Sequence, residues 1–409
     1  MNPREPTRPL ALAIVCYPSL GGSGVVAAEL ARGLAARGHR VHLVSTAVPE
    51  RLRSGGGGEV RFERIEVPAS PVFEHGPYDV VVASRLVELA RREPIDLVHL
   101  HYAVPHAASA LLAGRVLGAE APAMVTTLHG TDVTQLGAHP SLSAVIAFAL
   151  AACDGVTAPS QYLRDTAAAY FRLPVDCIEV IPNFVDLARF APPPGRDRGA
   201  LSALFSQGGE RAGAGGGGGP DGVSGGPILF HVSNFRPVKR PRDLIEVLAR
   251  VRRSLPARLV LVGDGPERAA VMQRADELGI AGAVCWLGRR NDFADLLGHA
   301  DGFLLTSESE GFGVAALEAM AAGVPVFGYH VGGLSEVVAD GAGTLVTCGD
   351  VDALARAVVA GVRDPAIRDA MGRAGRARAE QRFGDEIAVG RYETYFRHVL
   401  ARRTKGRAS

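Results

Sequence analysis

Apolar residues along this chain gather in short unbroken runs, separated by longer stretches in which they recur at helical spacing. Ala11 to Cys16 is such a run, followed by a glycine loop, a helical segment from about Val25 to Arg37 and a second run, Val41 to Ser45. Helical periodicity over 84–92 leads into Asp96-Leu-Val-His-Leu-His101, and Ala123 to Leu128 predicts a further strand ending at His129-Gly130. Runs without polar alternation belong to strands buried on both faces, so the pattern predicts a mostly parallel sheet between two helical layers. The segment Gly58 to Pro68, GEVRFERIEVP, alternates instead and predicts a strand of an antiparallel hairpin beside a flexible glycine tip at 55–58.

The pattern stops between about Ala191 and Gly226, in APPPGRDRGA and RAGAGGGGGPDGVSGG, where glycine is too dense for packing to offset the entropy of ordering. It restarts at Ile228 to Val232, followed by helix 241–253, strand 258–262, helix 266–278 and strands 283–287, 302–306 and 324–327. Asp364 to Val399 is helical by period, with Tyr392, Tyr395, Phe396 and Leu400 as an apolar stripe. The expected organisation is an N-terminal α/β domain over 1–190, a Gly/Pro-rich linker or surface insert over 191–226, a second α/β domain over 227–380, and a helical crossover over 381–409 that packs on the N-terminal domain.

The length of 409 residues suits two or three domains. With 44 basic and 43 acidic residues the net charge is +1, which provides no global field for a nucleic acid backbone, so any anion site is local. The five cysteines lack a C-x-x-C pair or metal-ligand spacing and predict free thiols in a reducing cytoplasm. The proline-broken N-terminus is no signal peptide, and no apolar stretch reaches the roughly 20 residues needed to cross a bilayer, so a soluble chain without a membrane partner is expected.

In open parallel sheets ligands bind beyond the carboxyl ends of strands, which directs attention to four loops: Gly21-Gly-Ser-Gly24, His129-Gly-Thr-Asp132, Asn234-Phe-Arg-Pro-Val-Lys239 and Glu308-Ser-Glu-Gly-Phe-Gly313. The first offers backbone amides at a helix start, as an acceptor or phosphate cradle or as a plain tight turn. A dinucleotide site would want a carboxylate after the next strand, where Ser45-Thr46 stands. Arg236 and Lys239 form either a diphosphate clamp or a solvated basic turn. Glu310 precedes a helix opening near Gly313, and Glu318 lies within it; eight helical residues span about 12 Å. A glycosidase pair needs roughly 5 to 9.5 Å, so the two carboxylates suit opposite ends of a long ligand better than one bond. Gly332-Gly333 is another amide-lined turn or a turn only. His99, His101 and His106 lack the helical spacing or cysteine partner of a zinc site, so no metal is expected; His99 and His101 share a strand face, where one orients the other or fills the core.

The Glu310 to Glu318 element, with GFG and LEAMAAGVPV around it, resembles the signature of the family 4 retaining glycosyltransferases, enzymes of the GT-B fold with two Rossmann-like domains facing an interdomain cleft. CYPSLGGSGVVAAELARGLAARGH, HLHYAVPHA, TTLHGTDVT and HVSNFRPVKR resemble the branch that moves GlcNAc from UDP-GlcNAc to the hydroxyl of L-malate, the first step of bacillithiol biosynthesis. The alternative is another retaining nucleotide-sugar transferase with a different acceptor. The resemblance implies that Glu318 binds the uridine ribose and that Glu310, with Gly311, Phe312 and Gly313, takes the donor sugar. Arg236 and Lys239 would hold the diphosphate and stabilise departing UDP; Asn234 stands where the family often has arginine. Gly22 would serve donor and acceptor, while Ser23, Tyr102 and Thr131 receive malate. His129 would position a hydroxyl of the reacting sugar; with Arg236, Lys239 and Glu310 it completes the implied catalytic group. A front-side route through departing UDP is implied, with Glu310 as covalent nucleophile the rival. The resemblance further implies UDP-GlcNAc as co-substrate, no cofactor or metal, closure of the two domains, and a homodimer.

Overall fold

The computed structural model describes residues 8–18, 22–53, 59–69, 76–206 and 225–408. The glycine tip at 55–58, Gly21 and the glycine tract at 207–224 lie outside the described residues. The chain divides into two compact units, Met1–Asn183 with Asp385–Ser409, and Phe184–Gly384.

Among the described residues the first unit is built on seven strands: β1 (Ala11–Val15), β2 (Arg40–Ser45), β3 (Val60–Arg64), β4 (Leu97–His101), β5 (Ala123–Thr127), β6 (Gly155–Ala158) and β7 (Ile178–Val180). Their order is β3-β2-β1-β4-β5-β6-β7 and every pairing is parallel. The second unit holds β8 (Ile228–Val232), β9 (Arg258–Val262), β10 (Val284–Trp286), β11 (Gly302–Leu305), β12 (Val326–Tyr329) and β13 (Gly343–Val346), ordered β10-β9-β8-β11-β12-β13 and again parallel throughout. The unbroken apolar runs have a direct cause: Ile228 and Phe230, Val260 and Val262, and Phe303 and Leu305 enter one core, while Leu229, Leu259, Leu261 and Leu304 enter the core on the opposite face.

Several expectations are corrected. The alternating segment β3 is a parallel edge strand beside β2 (Val41↔Val60 to Ser45↔Arg64), not half of an antiparallel hairpin. Its alternation reflects an inward carboxylate: Glu63 is buried and bonded to Arg85, Arg92 and His42. The insert predicted over 191–226 is structured at its start, because Arg198–Ser206 is a helix whose Leu201 is fully buried in the second core. The first boundary falls at 183/184, earlier than the predicted 190, since Val185 and Phe190 pack into the second unit. The C-terminal helical stretch is two helices, Pro365–Arg382 and Asp385–Ala408. It breaks where the Phe383 carbonyl accepts from Val185 N at 3.0 Å and Gly384 pairs with Val185. The last helix lies on the first unit's sheet through Tyr392, Phe396 and Val399, all buried, and Tyr395 donates its hydroxyl to Val156 O at 3.2 Å.

Candidate active site

In the second unit the strand order reverses at β8 and β11, so the loops leaving these two neighbours converge at the topological switch point. The loop after β8 carries Arg236 and Lys239, and the loop after β11 carries Glu310. They meet through Lys239 Nζ, which donates to Glu310 Oε1 at 2.7 Å; Ser307 Oγ donates to the same oxygen at 2.7 Å. Thr306 Oγ1 donates to the carbonyls of Lys239 and Arg240 at 3.0 and 3.1 Å, and Glu308 N to Val238 O at 2.9 Å, pinning one loop on the other. Arg236 is exposed in this loop, ahead of the short turn Pro237–Lys239. Glu318 sits buried in the helix Val314–Ala321, which opens at Gly313.

Phe312, expected in the donor set, turns its ring into the protein. The ring is buried in the second core, its centroid 5.7 Å from that of Phe383 in an edge-on contact. Sequence reasoning also missed Ser307, whose only signal is its place three residues before Glu310 in the motif loop.

The first unit repeats the arrangement at β1 and β4. Gly22 (φ 60°, ψ −125°) caps the helix Ser23–Ala36, and nothing lies within 4 Å of the direction a side chain there would take. Ser23 Oγ donates to Tyr102 OH at 3.0 Å, joining the loop after β1 to the loop after β4. The Tyr102 ring lies 5.0 Å from His129, which follows β5. Thr131, half-buried, begins the turn Thr131–Gln135 beyond it. Asp132, not singled out from the sequence, braces this loop: fully buried, it accepts from the amides of His129 and Gly130 at 3.0 Å each and of Ala103 at 3.2 Å. Burial pushes its pKa up, opposed by those amides. Of the five described non-glycine residues with positive φ, Tyr102 (89°), Phe235 (42°) and Arg240 (44°) lie in these loops, where held strain is commonest.

The histidines form a cluster, with His99, His101 and His106 buried and His129 half-buried. His101 Nδ1 is 2.8 Å from His129 Nε2; His99 Nε2 is 2.7 Å from Thr127 Oγ1; His106 Nδ1 donates to His101 O at 2.5 Å and its Nε2 is 3.0 Å from Tyr78 OH. Desolvation, with a smaller contribution from neighbouring rings, lowers His99 and His129 to about 3, and desolvation lowers His106 to about 4. All are neutral near pH 7. Because the folded pKa values of His99 and His106 lie below the unfolded value, the unfolded chain binds protons first. Stability is therefore full above about pH 6.5 and falls as the pH drops toward 4, by up to about 1.4 kcal/mol per pH unit for each histidine. Urea unfolding at pH 7.5 and 5.0 checks this; replacing His99 by glutamine flattens part of the slope.

Two parallel α/β units, each with polar and charged side chains gathered at the switch point of its sheet, define the two-domain architecture of the GT-B fold. The chain matches "Glycosyltransferase Family 4" over residues 20–189 and "Glycosyl transferases group 1" over 222–378. It is 38% identical over 393 residues to the N-acetyl-alpha-D-glucosaminyl L-malate synthase of Bacillus anthracis, covering 96% of this chain and 97% of that protein. It is 34% identical over 307 residues to a GDP-mannose-dependent alpha-(1-6)-phosphatidylinositol monomannoside mannosyltransferase of Mycolicibacterium smegmatis, covering 72% and 74% of the two chains. Among solved structures, Anabaena Alr3699/HepE in complex with UDP and glucose shares the fold with a TM-score of 0.73 at 21% identity, over 94% of this chain and 99% of that one. The chain belongs to the family 4 glycosyltransferases. No described helix is long and apolar enough to cross a membrane.

Proposed function

We propose that this protein transfers GlcNAc from UDP-GlcNAc to the hydroxyl of L-malate with retention of the anomeric configuration, releasing UDP, as the first step of bacillithiol biosynthesis. The observation that carries the reading is likeness to the malate synthase over almost the whole of both chains. The second-unit site supports a nucleotide-sugar donor. Lys239 and Arg236 suit a diphosphate, Glu318 a ribose diol, and Glu310, already fixed by Lys239 and Ser307, the hydroxyls of a hexose. The first-unit group of Gly22, Ser23, Tyr102 and Thr131 suits a small dicarboxylate by its amides and hydroxyls.

In the chemical step the bond from the anomeric carbon to the β-phosphate oxygen breaks, and a bond to malate's oxygen forms on the same face. The malate hydroxyl proton passes to the departing phosphate oxygen. Lys239 and Arg236 stabilise the charge growing on that phosphate without a metal ion. Two hydrogen bonds on Glu310 Oε1 favour an orienting carboxylate over a covalent nucleophile. The enzyme works in the cytoplasm, where its five free cysteines stay reduced, and as a homodimer, which light scattering tests.

Purified protein is expected to release UDP from UDP-GlcNAc only when L-malate is present, with an α-linked product by NMR. Turnover with a different acceptor while L-malate is inert sinks the acceptor assignment, and tight binding of UDP-GlcNAc without turnover sinks the enzymatic one. Glu318→Ala is expected to weaken UDP-GlcNAc binding on the order of tenfold or more, as for loss of a hydrogen bond to a charged group. Tyr102→Ala acts on the malate titration instead; the reverse ordering contradicts the map.

A further inference from the structure

His129 and His101 share one hydrogen bond at 2.8 Å, their rings stacked at 5.0 Å with 22° between planes. A neutral imidazole carries a single N–H, so one proton lies between the two nitrogens and the choice of donor decides where the other protons sit. If His129 donates, His101 keeps its proton on Nε2. If His101 donates, its Nε2 is a bare lone pair and His129 keeps its proton on Nδ1. His101 is fully buried, and its Nε2 has no hydrogen-bond partner among the described residues. Buried N–H groups are seldom left orphaned, and the desolvation of an unmade donor is lost outright. His99 follows the same rule: its Nε2 bonds Thr127 Oγ1 while its Nδ1 is buried without a partner.

We propose that His101 is a positioning residue that holds His129 in the Nδ1–H tautomer, so that His129 presents a hydrogen-bond donor, not a base, to an oxygen of bound substrate. This rests on the reading of His129 as the group that positions a substrate hydroxyl. His129 Nδ1 has no hydrogen bond to the described residues, and the residue is half-buried, so this is the nitrogen left for a ligand. His101 is itself held. Its strand pairs it with Thr127, and its carbonyl accepts from His106 Nδ1, which leaves His106 Nε2 to accept from Tyr78 OH. With His129 a donor, the malate proton goes to the departing phosphate and not to imidazole.

The test uses full-length protein labelled with ¹⁵N-histidine and read by long-range ¹H–¹⁵N correlation, without ligand. The wild type and His101→Asn, whose side-chain amide supplies an N–H near the lost Nδ1–H, are expected to show His129 protonated on Nδ1. His101→Leu is expected to show a mixture of tautomers. With UDP-GlcNAc and L-malate, His101→Leu is expected to lose roughly tenfold to a hundredfold in kcat with little change in KM, while His101→Asn stays within about threefold of wild type. A wild-type spectrum with the His129 proton on Nε2 overturns the proposal, as does full kcat in folded His101→Leu. The expected tautomer in a protein that transfers nothing to L-malate leaves the histidine assignment standing and refutes the proposed reaction instead.

Discussion

Replacing Lys239 by methionine is expected to lower kcat for sugar transfer by about 10²–10³-fold, the range seen when a single group stabilising developing negative charge is removed. Unfolding is expected to change little. Lys239 retains 21% and Glu310 11% side-chain exposure, and an ion pair still in touch with solvent contributes on the order of 1 kcal/mol or less to stability. A large kinetic loss with an almost unchanged melting temperature separates a charge that acts on the leaving phosphate from one that braces two loops. The double variant Lys239→Met/Glu310→Gln adds a second check. Because the two side chains touch, the combined loss is expected to fall well short of the product of the single losses. Steady-state kinetics with UDP-GlcNAc and L-malate, beside thermal melts, decide both points; a multiplicative double variant counts against the pair acting as a unit.

Gly263→Ala is expected to cost on the order of 3 kcal/mol or more and to weaken UDP binding with it. Gly263 has φ +118°, a conformation L residues rarely adopt, and a Cβ there would stand 1.8 Å from Ser233 O and 3.3 Å from Phe235 Cε2. Neither contact is easily relieved. The first is to backbone, and Phe235 is fully buried with its ring 4.3 Å from Trp286. Ser233 N also donates to Val262 O at 3.1 Å, and Glu267 N to Phe235 O at 3.0 Å, so the turn and the 233–236 loop cannot separate without losing these bonds. Since Arg236 rides on that loop, the same displacement moves it away from a diphosphate. Gly279→Ala is the control: φ is +66°, but nothing lies within 4 Å of its Cβ, so only the left-handed backbone cost of about 1–2 kcal/mol is expected. Urea unfolding and UDP titration of the two variants test the difference, and equal losses would remove the contact argument.

How far the site was legible depends on the range of the signal. Strand positions were read correctly from runs such as Ile228 to Val232 because a strand buried on both faces writes an unbroken apolar run into the chain. Arg236 and Lys239 stood out as cations in the loop after the run Ile228 to Val232, and Glu310 and Glu318 as carboxylates on either side of the helix opening near Gly313. The β3 reading failed because Glu63, paired inward with two arginines, mimics the solvent face of a hairpin. The packing of the Phe312 ring on Phe383 was not legible either, because a glycine-flanked aromatic in a motif loop gives no sign of a partner 71 residues away.

Local periodicity was enough to determine the α/β class, the two repeated domains and the candidate loops at strand ends, since the periods of strand and helix are properties of adjacent residues. Which loops become neighbours is another matter. It follows from strand order, and strand order comes from packing between segments far apart in the chain. Only the tertiary structure sets β8 beside β11, closing Lys239 onto Glu310 across 71 positions. It likewise sets β4 beside β5, joining His101 to His129, because a parallel sheet is assembled by non-local hydrogen bonds and by cores on its two faces that no short window of sequence contains.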